Sequence, residues 1–302
     1  YHIEIRYAQL NYWQANIEFN FGKEVDVDFT GLISRLEGID NVIFVGGLSG
    51  NLEGEEMPVS FPGFKGGDRT NIDLPAVQLK CLQALKEAGK RVIFVNCSGS
   101  AIALTPVLET SEAILQAWYG GEAGGLAVAD VLFGDYNPSG KLPVTFYRSS
   151  DQLKDFEDYS MKGRTYRYMD DALFPFGFGL SYSDFNIGKA SLSNSVITTN
   201  GSVQVTVPVT NSSKRNGTEI VQVYIRKIND NDGPLRTLRG FSRAEIPAGT
   251  TREVTIDLPA SSFEFYDRDL MKMAVTPGEY DILYGNSSSL KDLSSLKITM
   301  NE

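Results

Sequence analysis

The chain has 302 residues, long enough for two domains with separate cores, and its 42% hydrophobic and 22% charged residues are the balance of a folded globular protein. A net charge of -10 without any basic stripe argues against a partner with a phosphate backbone, whereas neutral ligands such as sugars are not penalised. No apolar run reaches the ~20 residues of a membrane-crossing helix, and the only histidine, His2, leaves Ser/His/Asp and Cys/His/Asp triads without a base.

Residues 1–27 are expected to form terminal strands, since Tyr1-His2-Ile3-Glu4-Ile5-Arg6-Tyr7 and Ala15-Asn16-Ile17-Glu18-Phe19-Asn20-Phe21 alternate polar with apolar. They open without a methionine or a signal sequence, so the chain is expected to be a fragment or a processed product. A short helix over Asp28–Ile39 then leads to a buried strand, Val42-Ile43-Phe44-Val45-Gly46-Gly47. The strand empties into a glycine-rich loop, Leu48 to Glu56, that carries Glu53, Glu55 and Glu56. Open α/β sheets bind ligands beyond the carboxyl ends of their strands, so these carboxylates are candidates for acids, bases or metal ligands. No helix is expected to start in the loop, and no Gly-Lys-Ser or Gly-Lys-Thr follows to make it a phosphate cradle.

From Leu74 to Glu87 an amphipathic pattern places Leu79, Leu82 and Leu85 at helical spacing and stops at Gly89. Arg91 to Asn96 reads as a second buried strand, which makes a βαβ unit with a parallel pair. Short helices over Leu104–Glu109 and Gly125–Leu132 flank a third strand, Ala113–Trp118, and together these elements make residues 28–148 an α/β layered domain. Cys81 and Cys97 read as free thiols used as small apolar side chains, with no Cys-x-x-Cys pair to suggest redox chemistry or zinc. Residues 149–184 lack a period but are rich in aromatics, as expected of a linker that packs. From residue 185 to 302 the period changes to two, and strands such as Val203–Val207, Ile220–Ile225, Glu253–Leu258 and Gly278–Tyr284 are separated by Asn-Gly, Pro-Ala-Gly and Pro-Gly turns. That pattern predicts an antiparallel sandwich, of the fibronectin type III-like rather than immunoglobulin kind because no Cys-Trp-Cys core is present. The fold class is thus α/β plus all-β, a mostly parallel sheet followed by a β-sandwich.

The run from Gly121-Glu122-Ala123-Gly124-Gly125 through Gly134-Asp135-Tyr136-Asn137-Pro138-Ser139-Gly140-Lys141-Leu142-Pro143-Val144-Thr145-Phe146 resembles the C-terminal α/β domain of glycoside hydrolase family 3, the β-glucosidases and β-xylosidases. Gly163-Arg164-Thr165-Tyr166-Arg167-Tyr168 and Phe174-Pro175-Phe176-Gly177-Phe178-Gly179-Leu180-Ser181-Tyr182 are similar to the family's segment leading into its fibronectin-like domain. Residues 1–21 resemble the last hairpin of a protective-antigen-type sandwich that some members carry as an insert. The resemblance implies a retaining mechanism in which an Asp nucleophile from an N-terminal (β/α)8 barrel, absent here, faces a Glu acid/base at ~5–5.5 Å. The Glu53-Gly54 and Gly67-Asp68-Arg69 patterns match the family's acid/base loop at Glu53, with Glu55 and Glu56 as alternates. Asp68 and Arg69 are candidates to order that loop through an ion pair or backbone hydrogen bonds, or else form a surface pair worth ~0–1 kcal/mol. Phe61 and Phe64, flanking Pro62-Gly63, either wall the leaving-group subsite or pack under the loop. Glu122 is explained as an acid in the first turn of a helix.

The resemblance therefore implies half of a β-glycosidase acting on terminal non-reducing β-D-glucosyl or β-D-xylosyl residues, without metal or organic cofactor. Its partners would be a β-glycoside or oligosaccharide and the missing barrel, its compartment the periplasm or the exterior, and the chain alone would be inactive. The Gly63-Phe64-Lys65-Gly66-Gly67-Asp68-Arg69 stretch leans towards β-xylosidase-like members. The rival readings are a non-catalytic carbohydrate-binding or assembly module and a flavodoxin-like nucleotide binder using the Gly46-Gly47 turn.

Overall fold

The computed structural model describes residues 25–53 and 57–302. The strands and insert remnant expected within residues 1–24, and the side chains of Glu55 and Glu56, lie outside the described residues. The first helix, α1 (Thr30–Arg35), is shorter than the expected Asp28–Ile39 because the chain turns at Gly38, whose φ is +75°. Strand β1 (Asn41–Gly47) follows, then a single helical turn, α2 (Gly50–Glu53), where no helix was expected. Ser49 begins that turn: its hydroxyl accepts from Leu52 N at 3.2 Å and its carbonyl from Glu53 N at 3.0 Å.

A small antiparallel sheet comes next, β2 (Ser60–Phe61), β3 (Phe64–Lys65) and β4 (Asp68–Arg69), with β3 in the centre. Helix α3 (Ala76–Glu87), strand β5 (Arg91–Cys97), helix α4 (Thr105–Thr110), strand β6 (Ala113–Gln116) and helix α5 (Gly124–Phe133) complete the α/β layers. The parallel sheet has the order β1-β5-β6, in register Val42↔Val92 and Phe44↔Phe94. Val42, Phe44, Val92 and Phe94 share one face, as alternation dictates. They form a core with Leu82 and Leu85 of α3 and Val107 of α4. At the carboxyl end of the sheet, buried Asn96 donates to Gln116 Oε1 at 2.6 Å and to Ser98 Oγ at 3.1 Å, tying β5 to β6. Cys81 is buried and Cys97 half-buried, and both thiols are free.

The aromatic linker packs. Its one-turn helix α6 (Thr165–Tyr168) stacks Tyr166 on Phe176 at 4.4 Å, and Phe174 stacks on Phe178 at 5.4 Å while meeting Phe146 edge-on at 6.3 Å. Beyond it lie β7 (Phe185–Ile187), β8 (Ser191–Leu192), β9 (Val196–Thr198), β10 (Ser202–Asn211), β11 (Gly217–Lys227), β12 (Thr237–Ile246), β13 (Thr251–Pro259), the β14 (Glu264–Asp267) and β15 (Lys272–Val275) hairpin, β16 (Gly278–Gly285) and β17 (Ser294–Asn301). One sheet runs β13-β10-β7, with β8 also on β10, and the other β12-β11-β16-β17-β9. Val203, Val205, Val207 and Val209 point inward from β10 to meet Val221, Val223 and Ile225 of β11, so the period-two pattern becomes the sandwich core.

Candidate active site

The carboxyl end of β1 is fixed before the acidic turn begins. Gly47 has φ +125°, and a Cβ built on it would lie 1.9 Å from the Cys97 carbonyl oxygen. Gln78 clamps the Gly47 peptide from both sides, accepting from its N–H at 2.9 Å and donating to its carbonyl at 2.8 Å, and Leu48 N donates to Cys97 O at 2.8 Å. Gly47→Ala therefore adds a clash to a backbone that only glycine adopts freely, and is expected to destabilise the protein by about 2–3 kcal/mol in urea unfolding. A loss below about 0.5 kcal/mol would show that this junction is free to relax.

On that platform three strand ends bring chemistry together. Glu53 follows β1, Gly99 and Ser100 follow β5, and Trp118 and Tyr119 follow β6. The Tyr119 hydroxyl donates to Glu53 Oε2 at 3.0 Å. Gly99 lies beneath the pair, where a Cβ would be 2.7 Å from Tyr119 Cε2 and 3.3 Å from Glu53 Oε2. Trp118 takes the left-handed conformation, φ +57°, which ends β6 at Gln116 instead of continuing the strand to Trp118 as the residue pattern suggests. Its ring meets Phe146 edge-on at 6.1 Å. Next to Gly99 and Ser100 opens a cavity of about 560 Å³, walled also by Trp118, Val144, Thr145 and Tyr147.

Arg69 closes the other side. Its Nη1 donates to Ser100 Oγ at 2.9 Å, its Nε to the Asn71 carbonyl at 3.2 Å, and its guanidinium carbon stands 5.9 Å from the Phe64 ring centre. Burial lowers the guanidinium below its ordinary value, and the Glu53 carboxylate is the largest influence opposing that shift. Burial, then the hydrogen bond to Glu53, holds the Tyr119 phenol above its ordinary value, which keeps it a donor. The arrangement is a carboxyl group with one oxygen anchored by a phenol and a fixed cation nearby, at strand ends where Gly99, Ser100 and Trp118 also border the cavity. Proton transfer to or from a bound molecule is the chemistry such a group supports.

Other residues singled out by the sequence fall differently. Asp68 is exposed and makes no ion pair with Arg69, because neighbours along a strand point to opposite faces. Among the described residues, Arg69 donates to the Asn71 carbonyl and to Ser100 Oγ. Phe61 and Phe64 are cross-strand partners on one face of the small sheet, with ring centres 6.5 Å apart. Phe64, on the central strand, is 5% exposed and sealed between Phe61 and Arg69, whereas Phe61, on the edge, is 43% exposed. Only Phe61 therefore presents a ring to solvent. Glu122 stands just ahead of α5 rather than in its first turn. Tyr119, Gly99 and Ser100 escaped the sequence reading; the signal that finds them is their place directly after parallel strands.

Residues 11–182 match the model of the glycosyl hydrolase family 3 C-terminal domain, and residues 219–288 that of a fibronectin type III-like domain. The chain is 55% identical, over 99% of its length, to a protein from Xylanibacter ruminicola named xylan 1,4-beta-xylosidase, of which it covers 34%. It is 37% identical over 94% of its length to a protein from Formosa agariphila named beta-xylosidase, covering 40% of that protein. A solved β-glucosidase from Erythrobacter marinus superimposes with a TM-score of 0.77 at 33% identity, over 90% of this chain and 36% of that one. The chain thus spans about a third of the length of the first of these relatives.

Proposed function

Because the chain belongs to glycoside hydrolase family 3, as its C-terminal portion, we propose that it is the acid/base half of a retaining β-glycosidase acting on terminal non-reducing β-D-xylosyl residues, and on β-D-glucosyl residues less well. The observation that carries this reading is the Glu53 carboxyl group, anchored through Oε2 by Tyr119 at the carboxyl edge of the parallel sheet. Glu53 protonates the glycosidic oxygen as the bond to the anomeric carbon breaks. The nucleophile is an Asp of a (β/α)8 barrel elsewhere in a longer polypeptide. Its carboxylate takes the anomeric carbon in a covalent glycosyl intermediate, and Glu53, now ionised, removes a proton from the water that releases the sugar. The xylose preference is supported by the names of the two relatives above. The compartment proposed with this reading is the periplasm or the exterior, which cell fractionation checks.

The test is release of p-nitrophenol from β-D-xyloside and β-D-glucoside by this chain and by the longer protein, with the anomer of the first-formed sugar followed by proton NMR. The isolated chain is expected to release nothing above buffer, and the longer protein to favour the xyloside and deliver the β-anomer first. Turnover by the isolated chain, or an α-anomer first, would discard the two-part retaining mechanism. Carbohydrate affinity in the isolated chain that is indifferent to Glu53→Ala would instead mark a binding module.

A further inference from the structure

A four-residue helix is too short to be stable alone, so α2 by itself cannot hold a glutamate with three free torsions in one orientation. The structure supplies the restraint from another strand. We propose that Tyr119 is the positioning residue of Glu53, an inference that rests on the acid/base reading of Glu53 and names what holds that carboxyl group at its working angle.

Three observations converge on it. The Tyr119 hydroxyl donates to Glu53 Oε2 at 3.0 Å across two different strand ends. The preceding residue, Trp118, is held at φ +57°, a conformation that costs a bulky residue roughly 1–2 kcal/mol. That strained turn divides the two adjacent rings, sending Trp118 against Phe146 and Tyr119 over Gly99 to Glu53. Backbone strain kept by a packed surrounding marks a place where orientation matters. Finally, the Gly99 position is bare where any Cβ would push on the Tyr119 ring at 2.7 Å and on the Glu53 carboxylate at 3.3 Å. Strands β5 and β6 and the turn after β1 thus contribute one part each to a single contact.

Because Tyr119 occupies Oε2, the transferable proton is carried on Oε1, from which it passes to the leaving oxygen as the glycosidic bond breaks. The Tyr119 proton is not transferred. Loss of the phenol leaves Glu53 chemically intact but free to swing, so kcat/KM, which reports the glycosylation step, falls only for substrates that need protonation.

The experiment compares kcat/KM of the longer protein for a β-1,4-linked xylose disaccharide, whose leaving group must be protonated, and for 2,4-dinitrophenyl β-D-xyloside, whose leaving group need not be. Tyr119→Phe is expected to lower the first about 10-fold and the second by less than about 2-fold. Gly99→Ala, whose Cβ presses on the Tyr119 ring at 2.7 Å and on Glu53 Oε2 at 3.3 Å, is expected to show the same selectivity and tests the contact as a whole if Tyr119→Phe fails to fold. Equal losses on both substrates, or none on either, overturn the assignment. Glu53→Ala with azide is run in the same series: absence of azide rescue sinks the reading of Glu53 itself, while rescue alongside a flat leaving-group profile for both variants sinks only the role of Tyr119.

Discussion

Glu53→Ala in the longer protein is expected to lower kcat/KM for the xylose disaccharide about 10³-fold, in the middle of the range for losing a positioned general acid. The same variant is expected to keep kcat/KM for the dinitrophenyl xyloside within about tenfold, because that leaving group departs as an anion without a proton. Its kcat on the activated substrate falls, since the intermediate now waits for water that no base activates. Azide reverses that fall: the truncated side chain leaves room beside the anomeric carbon, and an anionic nucleophile needs no base. The product is the β-xylosyl azide, formed by a second inversion. Parental activity in Glu53→Ala would remove the assignment and turn attention to Glu55 and Glu56. Among the described residues, Glu53 is the carboxylate bonded to a side chain from another strand end, Tyr119, beside the Arg69 cation.

The parts of this site differ in how legible they are from the sequence, and the reason is range. The run Val42–Val45 and its partner Arg91–Asn96 declare themselves as apolar strands, and the crossover between them shows as the spacing of Leu79, Leu82 and Leu85. The expected burial holds for β5, whereas β1 lies at the sheet edge and leaves Ile43 45% and Val45 66% exposed. In the sandwich, alternation at Val203, Val205 and Val207 reads directly as an inward face. The acidic loop reads for the same local reason, standing just past a strand, whereas the choice of Glu53 within it rests on the resemblance of Glu53-Gly54 and Gly67-Asp68-Arg69 to the family pattern. The helical turn at Glu53 was not legible, because Ser49 capping a four-residue segment leaves too little pattern to detect. The inward turn of Phe64 depends on its being the central strand of a sheet whose strands are two residues each. Tyr119 reaches Glu53 only after β1, β5 and β6 have been placed side by side, and the departure of β6 at Trp118 is a backbone choice that no residue preference favours.

The same limit conceals the contact on which the second large effect depends. Lys141, at the end of the α/β unit, meets Glu219 of β11 at 2.8 Å, with side chains only 10% and 5% exposed. The lysine also donates to the Gly179 carbonyl at 2.9 Å, and the carboxylate accepts from Ile220 N at 2.8 Å and Asn286 Nδ2 at 3.1 Å. Around them the linker is stitched to the sandwich: Gln222 Nε2 donates to Gly177 O at 3.0 Å and to Asn286 O at 2.9 Å, and Ser288 N donates to Phe176 O at 2.9 Å. Lys141→Met removes one charge and strands the other in a nearly buried site, and is expected to destabilise the chain by about 3–5 kcal/mol. Lys141→Met combined with Glu219→Leu removes both charges and is expected to recover most of that loss, because two matched deletions leave no unpaired ion. Calorimetry of the chain reads the architecture as well as the magnitude. A single transition in the parent should split in two for Lys141→Met, with the sandwich melting apart from the α/β layers, since the pair joins units that each own a core. If the single variant loses less than about 1 kcal/mol and still melts in one step, the pair is merely accommodated at the junction, and the edge-on contact of the linker's Tyr166 with Tyr224 of β11, 5.9 Å between ring centres, carries the coupling instead.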